Sequence, residues 1–180
     1  MIKSLGSGIN PAFPDPLPAR QRYDAGMRTT VLFLLLSLPA FAEELRGKIV
    51  AIADGDTCTL LDASKVQHKI RLNGIDAPEK KQAFGTKARE ALGEKIHEKE
   101  VRIKWTKKDR YGRILGDVYF WDRHINREMI RDGMAWHYRQ YSKSVELQRE
   151  EDAAREAKRG LWADKSPVPP WEFRHPEKVK

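Results

Sequence analysis

Two runs of apolar and β-branched residues, Lys48–Ala53 and Thr57–Leu61, are separated only by Asp54-Gly55-Asp56. A gap that short leaves no room for a crossover, so the two runs must fold back on each other as an antiparallel hairpin. Val66–Leu72 extends the pattern after Ala63-Ser64-Lys65, which gives a three-strand meander. Ala88, Ala91, Leu92 and Ile96 recur at helical spacing behind Thr86 as N-cap, so a helix is expected over Lys87–His97. Val101–Trp105 and Ile114–Trp121 read as two further strands flanking Lys107–Arg113. Asn126 is placed to cap a short helix through Asp132 that Gly133 ends, and Ser144 to cap a longer one through Arg159 that Gly160 ends. On that last helix Leu147, Ala154, Ala157 and Leu161 form the packed side, with Glu150, Glu151, Arg155 and Lys158 in solvent. The expected fold is α+β and mainly β: a five-stranded Greek-key barrel of OB type with about three helices.

The N-terminus does not belong to that domain. Met27-Arg28-Thr29-Thr30 leads into Val31–Pro39 and then Ala40-Phe41-Ala42. A basic start, an apolar stretch too short to span a bilayer and a small-x-small triplet make a secretory signal over 27–42, cleaved after Ala42. Residues 1–26 hold four prolines between Pro11 and Pro18 and no periodicity, so they read as a disordered leader or a misassigned start, with translation from Met27. The organisation expected is therefore a barrel domain over 43–165 and a proline-rich tail over 166–180, from which Trp171 and Phe173 pack back on the domain. Residues 1–42 carry four basic and two acidic side chains, so their removal leaves 138 residues and lowers the net charge from +8 to +6. The folded part keeps the basic character, which points to polyanionic partners. One cysteine excludes both a disulfide framework and a cysteine-rich zinc module. Cys58 sits inside the second strand as a small buried hydrophobe, and none of the five histidines has the spacing of a zinc site.

Four carboxylates fall in two clusters: Asp54 and Asp56 at the first turn, Asp76 and Glu79 after the third strand. The intervening segment runs out and back, so both clusters reach one end of the sheet. Converging carboxylates repel unless a cation sits among them, and a hard divalent ion with oxygen ligands, Ca²⁺ first, is the natural choice. Each cluster alone is also explained by turn chemistry. Arg71 precedes the second cluster, and Arg113 closes Asp109-Arg110-Tyr111-Gly112-Arg113. Guanidinium forks bind phosphate oxygens through paired charge-assisted bonds, so carboxylates beside arginines suggest phosphodiester cleavage. Structural ion pairing of both arginines is the competing account.

Asp54-Gly55-Asp56-Thr57, then Ile70-Arg71-Leu72-Asn73-Gly74-Ile75-Asp76-Ala77-Pro78-Glu79, then Asp109–Arg113, in that order and spacing, resemble the signature of the staphylococcal-type thermonuclease family. The similarity runs from Leu45 to Trp162. It implies an OB barrel and a nuclease that hydrolyses DNA and RNA at the bond to the 5′ oxygen, leaving 3′-phosphate ends. It implies that Asp56, Asp76 and the backbone carbonyl of Ala77 ligate one Ca²⁺, with Asp54 behind them. Glu79 would position the attacking water, and Arg71 and Arg113 would hold the scissile phosphate. Tyr111, with Arg110 beside it, matches an aromatic near the substrate's terminal phosphate, and Tyr138 and Tyr141 map onto base-stacking tyrosines. The sequence departs from the prototype at Ala77, where a threonine is usual, and in a shorter loop between Glu79 and Thr86.

The reading is an exported, periplasmic or extracellular endonuclease of little sequence specificity, acting as a monomer on DNA and/or RNA with no stable membrane association. Its rival is a non-catalytic OB-type nucleic-acid-binding module, but a binding relic is free to lose Asp56, Asp76, Glu79, Arg71 or Arg113, and all five are present. A membrane-surface protein would need a basic amphipathic helix that the sequence lacks.

Overall fold

The computed structural model describes residues 43–175; the leader and signal expected over 1–42, and residues 176–180, lie outside them. Strands β1 (Glu43–Asp54), β2 (Thr57–Asp62) and β3 (Gln67–Leu72) form the expected meander. After the short β4 (Ile75–Asp76) and helix α1 (Gly85–Ile96) come β5 (Glu100–Lys108) and β6 (Ile114–Phe120). The first half of β1 pairs with β5 and its second half with β2, while β3 runs parallel to β6. That parallel pairing closes β3-β2-β1-β5-β6 into a five-stranded barrel. Closure leaves no edge among these strands and directs alternate side chains inward. Ile49, Leu60, Ile70, Ile103 and Val118, one from each strand, are all 0% exposed.

Two helices pack on the barrel and share its core. α1 buries Ala88, Leu92 and Ile96, and α2 (Ile125–Arg131) buries Ile125, Met129 and Ile130 in the same core. β2, β3 and β6 lie close to expectation, but β1 begins five residues before Lys48, because Glu43–Gly47 pair with β5, and β5 runs three residues past Trp105; both helix caps expected on α1 and α2 are corrected as well. α1 starts one residue earlier than Thr86, behind Phe84 in left-handed geometry (φ 66°), with no side-chain cap. α2 follows β7 (Arg123–His124), and His124 takes the cap position. Asn126 turns inward instead, because the barrel offers it more bonds than a helix end does. Its Oδ1 accepts from the Val118 N–H at 2.9 Å, and its Nδ2 donates to the carbonyls of Asn73 at 2.9 Å and Gly116 at 3.1 Å. Gly133 ends α2 as expected, at φ 67°.

β8 (Trp136–His137) pairs antiparallel with β4, setting Asp76 opposite Trp136. α3 (Val145–Glu156) is capped by Ser144, whose Oγ accepts from the Leu147 N–H at 3.2 Å, and it ends three residues before Arg159. Glu151 is not solvated as the helical pattern implied. It is 1% exposed, accepts from the His137 N–H and pairs with Arg139 and Arg155. A 3₁₀ turn (Gly160–Ala163) and the one-turn α4 (Pro170–Phe173) follow. Trp136, Ala154, Leu161 and Trp162 make a second, smaller core against which Phe84 and Trp171 pack. Trp171 thus packs back as expected, whereas Phe173 remains exposed.

Asn126 ties the loop after β3, and so the approach to Asp76, to the wall of the barrel. Asn126→Leu strands one N–H and two carbonyls and should cost about 2–4 kcal/mol. Urea denaturation measures this; a loss below about 0.5 kcal/mol would show that these bonds do not hold the loop.

Candidate active site

The β1–β2 turn delivers Asp56. Gly55 packs so tightly that a Cβ there would lie 2.6 Å from the Ala88 Cβ and 2.7 Å from the Ala77 Cβ, so the turn is pressed against both α1 and the loop after β4. Asp54 Oδ1 accepts the Asp56 N–H at 3.0 Å and fixes the turn. Asp56 is buried, with Oδ1 accepting from the Thr57 hydroxyl at 3.0 Å and Oδ2 from the Ala77 N–H at 2.7 Å.

Asp76, 1% exposed, is held by the β4–β8 pairing. One guanidinium joins the two carboxylates. Arg71 Nη1 lies 2.9 Å from Asp56 Oδ2, and Nη2 donates to Asp76 Oδ1 at 2.7 Å. Nη1 also donates to the carbonyls of Ile75 and Leu72. Burial pushes the Asp56 carboxyl up to about 7, opposed by Arg71 and reinforced by Asp54 and Asp76. A single guanidinium shared by two desolvated carboxylates does not neutralise them.

Glu79 leaves the buried cluster on a tight loop. Its N–H donates to Gln82 Oε1 at 3.1 Å, its carbonyl accepts from the Gln82 N–H at 2.8 Å, and a Cβ at Gly85 would come within 1.9 Å of that carbonyl. Only glycine lets α1 begin this close to Glu79. The Glu79 carboxylate is 37% exposed, on the solvent side of Asp76.

Arg113 enters β6 beside Ile114, which pairs with Ile70, so it stands at the same end of the barrel as Arg71. Its Nε donates to Asp109 Oδ2 at 2.7 Å, and Asp109 Oδ1 accepts from the N–H groups of Tyr111 and Arg113, both at 2.9 Å. Despite burial, these bonds hold the Asp109 carboxyl below the usual range. Arg113 therefore pairs with Asp109 rather than with the buried carboxylates. Tyr111 is 67% exposed, with the guanidiniums of Arg110 and Arg113 4.8 Å and 5.6 Å from its ring centre.

Tyr138 and Tyr141 meet edge to face at 4.7 Å. One face of Tyr138 is taken by Trp171, stacked at 5.3 Å and 2°, while Tyr141 presents its ring to solvent. Burial, then the charge of Asp76, raises the Tyr138 phenol, which places it at the edge of the acidic cluster. Cys58 is buried in β2 with its thiol pushed up to about 12 by burial, the inert hydrophobe expected.

Three contributors escaped the sequence reading. Thr57 and Gly85 are local and lay within readable motifs. Arg174 is 98 residues from the side chain it binds, in a tail without periodicity. Its Nη2 donates to Asp76 Oδ2 at 2.7 Å and its Nη1 to Glu79 Oε1 at 2.6 Å. Burial works against its charge, but the bonds to Asp76 and Glu79 prevail and raise its pKa.

The donor set fits a hard cation. Asp56 and Asp76 offer carboxylate oxygens and the neighbouring main chain offers carbonyl oxygens, with no nitrogen or sulfur side-chain ligand beside them. Among the described residues no three acidic, histidine or cysteine side chains are grouped to hold an ion by themselves, so main-chain oxygens and water must complete any shell.

The family described as "Staphylococcal nuclease homologue" matches residues 69–164. An "uncharacterized endonuclease" of Escherichia coli is 43% identical over 146 residues, covering 81% of this chain and 94% of the relative. A protein of the same description from Haemophilus influenzae is 42% identical over 153 residues, covering 84% and 85%. A "micrococcal nuclease" of Shigella flexneri is 40% identical over 156 residues, covering 81% and 88%.

A buried carboxyl raised above its unfolded value stabilises the fold while protonated, fully so below about pH 4, and loses that contribution as pH rises through about 7. Without divalent ions, Asp56→Asn should therefore melt several degrees above the parent at pH 8, with the gap closing towards pH 4. Scanning calorimetry in chelator measures this; a gap that is constant with pH would contradict it.

Proposed function

The chain belongs to the staphylococcal nuclease family and is a nuclease, a hydrolase of phosphodiester bonds; from that premise we propose that it is Ca²⁺-dependent, cuts DNA and/or RNA with little sequence preference, and leaves 3′-phosphate ends. The observation that carries this reading is the buried pair Asp56–Asp76 bridged by Arg71, with Glu79 on its solvent side. Asp56, Asp76 and the Ala77 carbonyl would hold the ion. When bound, that ion neutralises charge on the phosphoryl group as a Lewis acid.

The remaining work falls to the chain's own side chains. Phosphodiester attack builds negative charge on equatorial oxygens, and oriented guanidiniums in a dry site meet that charge without reorganising. Arg113, braced at Nε by Asp109, keeps its two Nη groups for a phosphate fork, and Arg71, held between Asp56 and Asp76, adds its charge at the same end of the barrel. Glu79 lies on the solvent side of Asp76, where its carboxylate can orient a water and accept its proton. Tyr111 with Arg110, and the exposed Tyr141, offer a cationic and aromatic surface for the flanking strand. Contacts of this kind read backbone and base faces rather than base edges, hence the low sequence preference.

The apolar segment and cleavage-type triplet before Glu43 support export to the periplasm or beyond, and the exported domain acts as a monomer. No helix among the described residues is long and apolar enough to cross a membrane.

Incubation of the purified chain with single- and double-stranded DNA and with RNA should give cleavage in Ca²⁺ and none in chelator, with products whose 3′ phosphates are removed by phosphatase. Glu79→Gln and Arg113→Lys should each lower kcat by about 10²–10³. Activity persisting in chelator, or an undiminished Glu79→Gln variant, would refute the mechanism. Affinity for the substrate should fall steeply with salt, and Edman sequencing of the exported protein should begin at Glu43.

A further inference from the structure

Both buried carboxylates have every oxygen engaged by the protein itself. Asp56 is held by Thr57, Ala77 and Arg71, and Asp76 Oδ1 by Arg71. The remaining oxygen, Asp76 Oδ2, is bound by Arg174, which also holds Glu79. Arg174 is the one of these partners that lies outside the barrel and its adjoining loops, just after α4. It follows α4, a single turn attached by few contacts: Gln82 Nε2 donates to the Val168 carbonyl at 2.5 Å, Pro170 is buried, and Trp171 packs against Tyr138 and, edge-on, Trp136. A side chain held by a one-turn helix with few contacts is released at little cost compared with one inside the barrel, such as Arg71.

We propose that Arg174 is a built-in counter-cation of the nuclease site, so that a divalent ion must displace it, and that the segment Pro170–His175 is a stopper released by metal. The idea rests on the calcium reading above. The physical basis is competition for one acceptor. A guanidinium fork and a hard divalent ion both need Asp76 Oδ2, and the ion brings twice the charge to a cluster that Arg71 leaves under-neutralised. While docked, Arg174 also ties up Glu79, so the carboxylate assigned to the water is freed in the same step that admits the ion. The consequence is an enzyme held closed where divalent ion is scarce and opened where it is plentiful.

The test titrates Ca²⁺ by calorimetry into the metal-free full chain, Arg174→Gln and Arg174→Lys. Arg174→Gln should bind Ca²⁺ about 10- to 100-fold more tightly than the parent, because the charge-assisted bonds to Asp76 and Glu79 no longer oppose the ion, with Arg174→Lys in between. Hydrogen exchange over 166–175 should quicken when the parent is saturated with Ca²⁺. In chelator, Arg174→Gln should melt below the parent, with the difference erased by Ca²⁺. Affinities within about twofold of each other, or unchanged exchange in the tail, overturn the stopper while leaving the calcium reading intact. Absence of binding in all three proteins overturns both.

Discussion

A single guanidinium is shared by two carboxylates that the fold has taken out of water: Arg71 reaches Asp56 with one nitrogen and Asp76 with the other. Removing carboxylates from solvent is costly, and Arg71 alone leaves one negative charge over, which Arg174 meets at Asp76. The surrounding structure holds the charges in place all the same. The β1–β2 turn is locked by Asp54 and pressed on Ala77 and Ala88, the strand carrying Asp76 is pinned by β8, and the approach to it is tied to the barrel wall by Asn126. Strain of this kind persists only where neighbours over-determine it, and it is a common condition of sites built to receive a charge.

The sheet topology explains how residues far apart in sequence reach that point. Arg71 lies in β3 opposite Thr57 on one side and Leu115 on the other, so the hairpin turn, the end of β3 and the start of β6 converge at one end of the barrel. The parallel β3–β6 pairing is the step that brings Arg113 there. An open sheet with the same strands would leave Arg113 and its Asp109 partner away from the buried pair. Barrel closure is therefore a requirement of the site as much as of the core.

What the sequence made legible follows the range of the interactions. The hairpin around Asp54–Asp56 and the Ser144 cap depend on near neighbours and are readable from pattern and turn chemistry, whereas the start of β1 and the end of β5 are set by the distant β1–β5 and β5–β6 pairings. Thr86 and Asn126 have the right chemistry for helix caps, but tertiary demands override it, and Phe84 and His124 take those positions. Gly85 is needed against Glu79, which forces the chain into the helix early, and Asn126 gains three bonds inside the barrel. Helical periodicity alone puts Glu151 in solvent, but the pattern says nothing of the His137 N–H that donates to it, nor of Arg139 and Arg155, which reach it from the surface and pair with it where it is buried. The pinning of Asp76 by Trp136 and the reach of Arg174 carry no local signal at all.

The charges of the domain point in two directions, and the difference gives the site its character. A basic surface draws in a polyanion, whereas the mouth of the barrel is locally acidic and would repel the same phosphate. Arg71 and Arg174 contain that acidity in the metal-free fold, but they do so by occupying the groups that chemistry requires. A carboxylate oxygen that already accepts from a guanidinium is a poorer ligand for an ion and a weaker base toward water. Such a site has to be rearranged before it can act, and the rearrangement is easiest where the chain is least anchored. Arg71 lies in a closed barrel and holds two backbone carbonyls as well; Arg174 follows a single helical turn. The arginine that yields is thus determined by the architecture and not by the strength of its bonds.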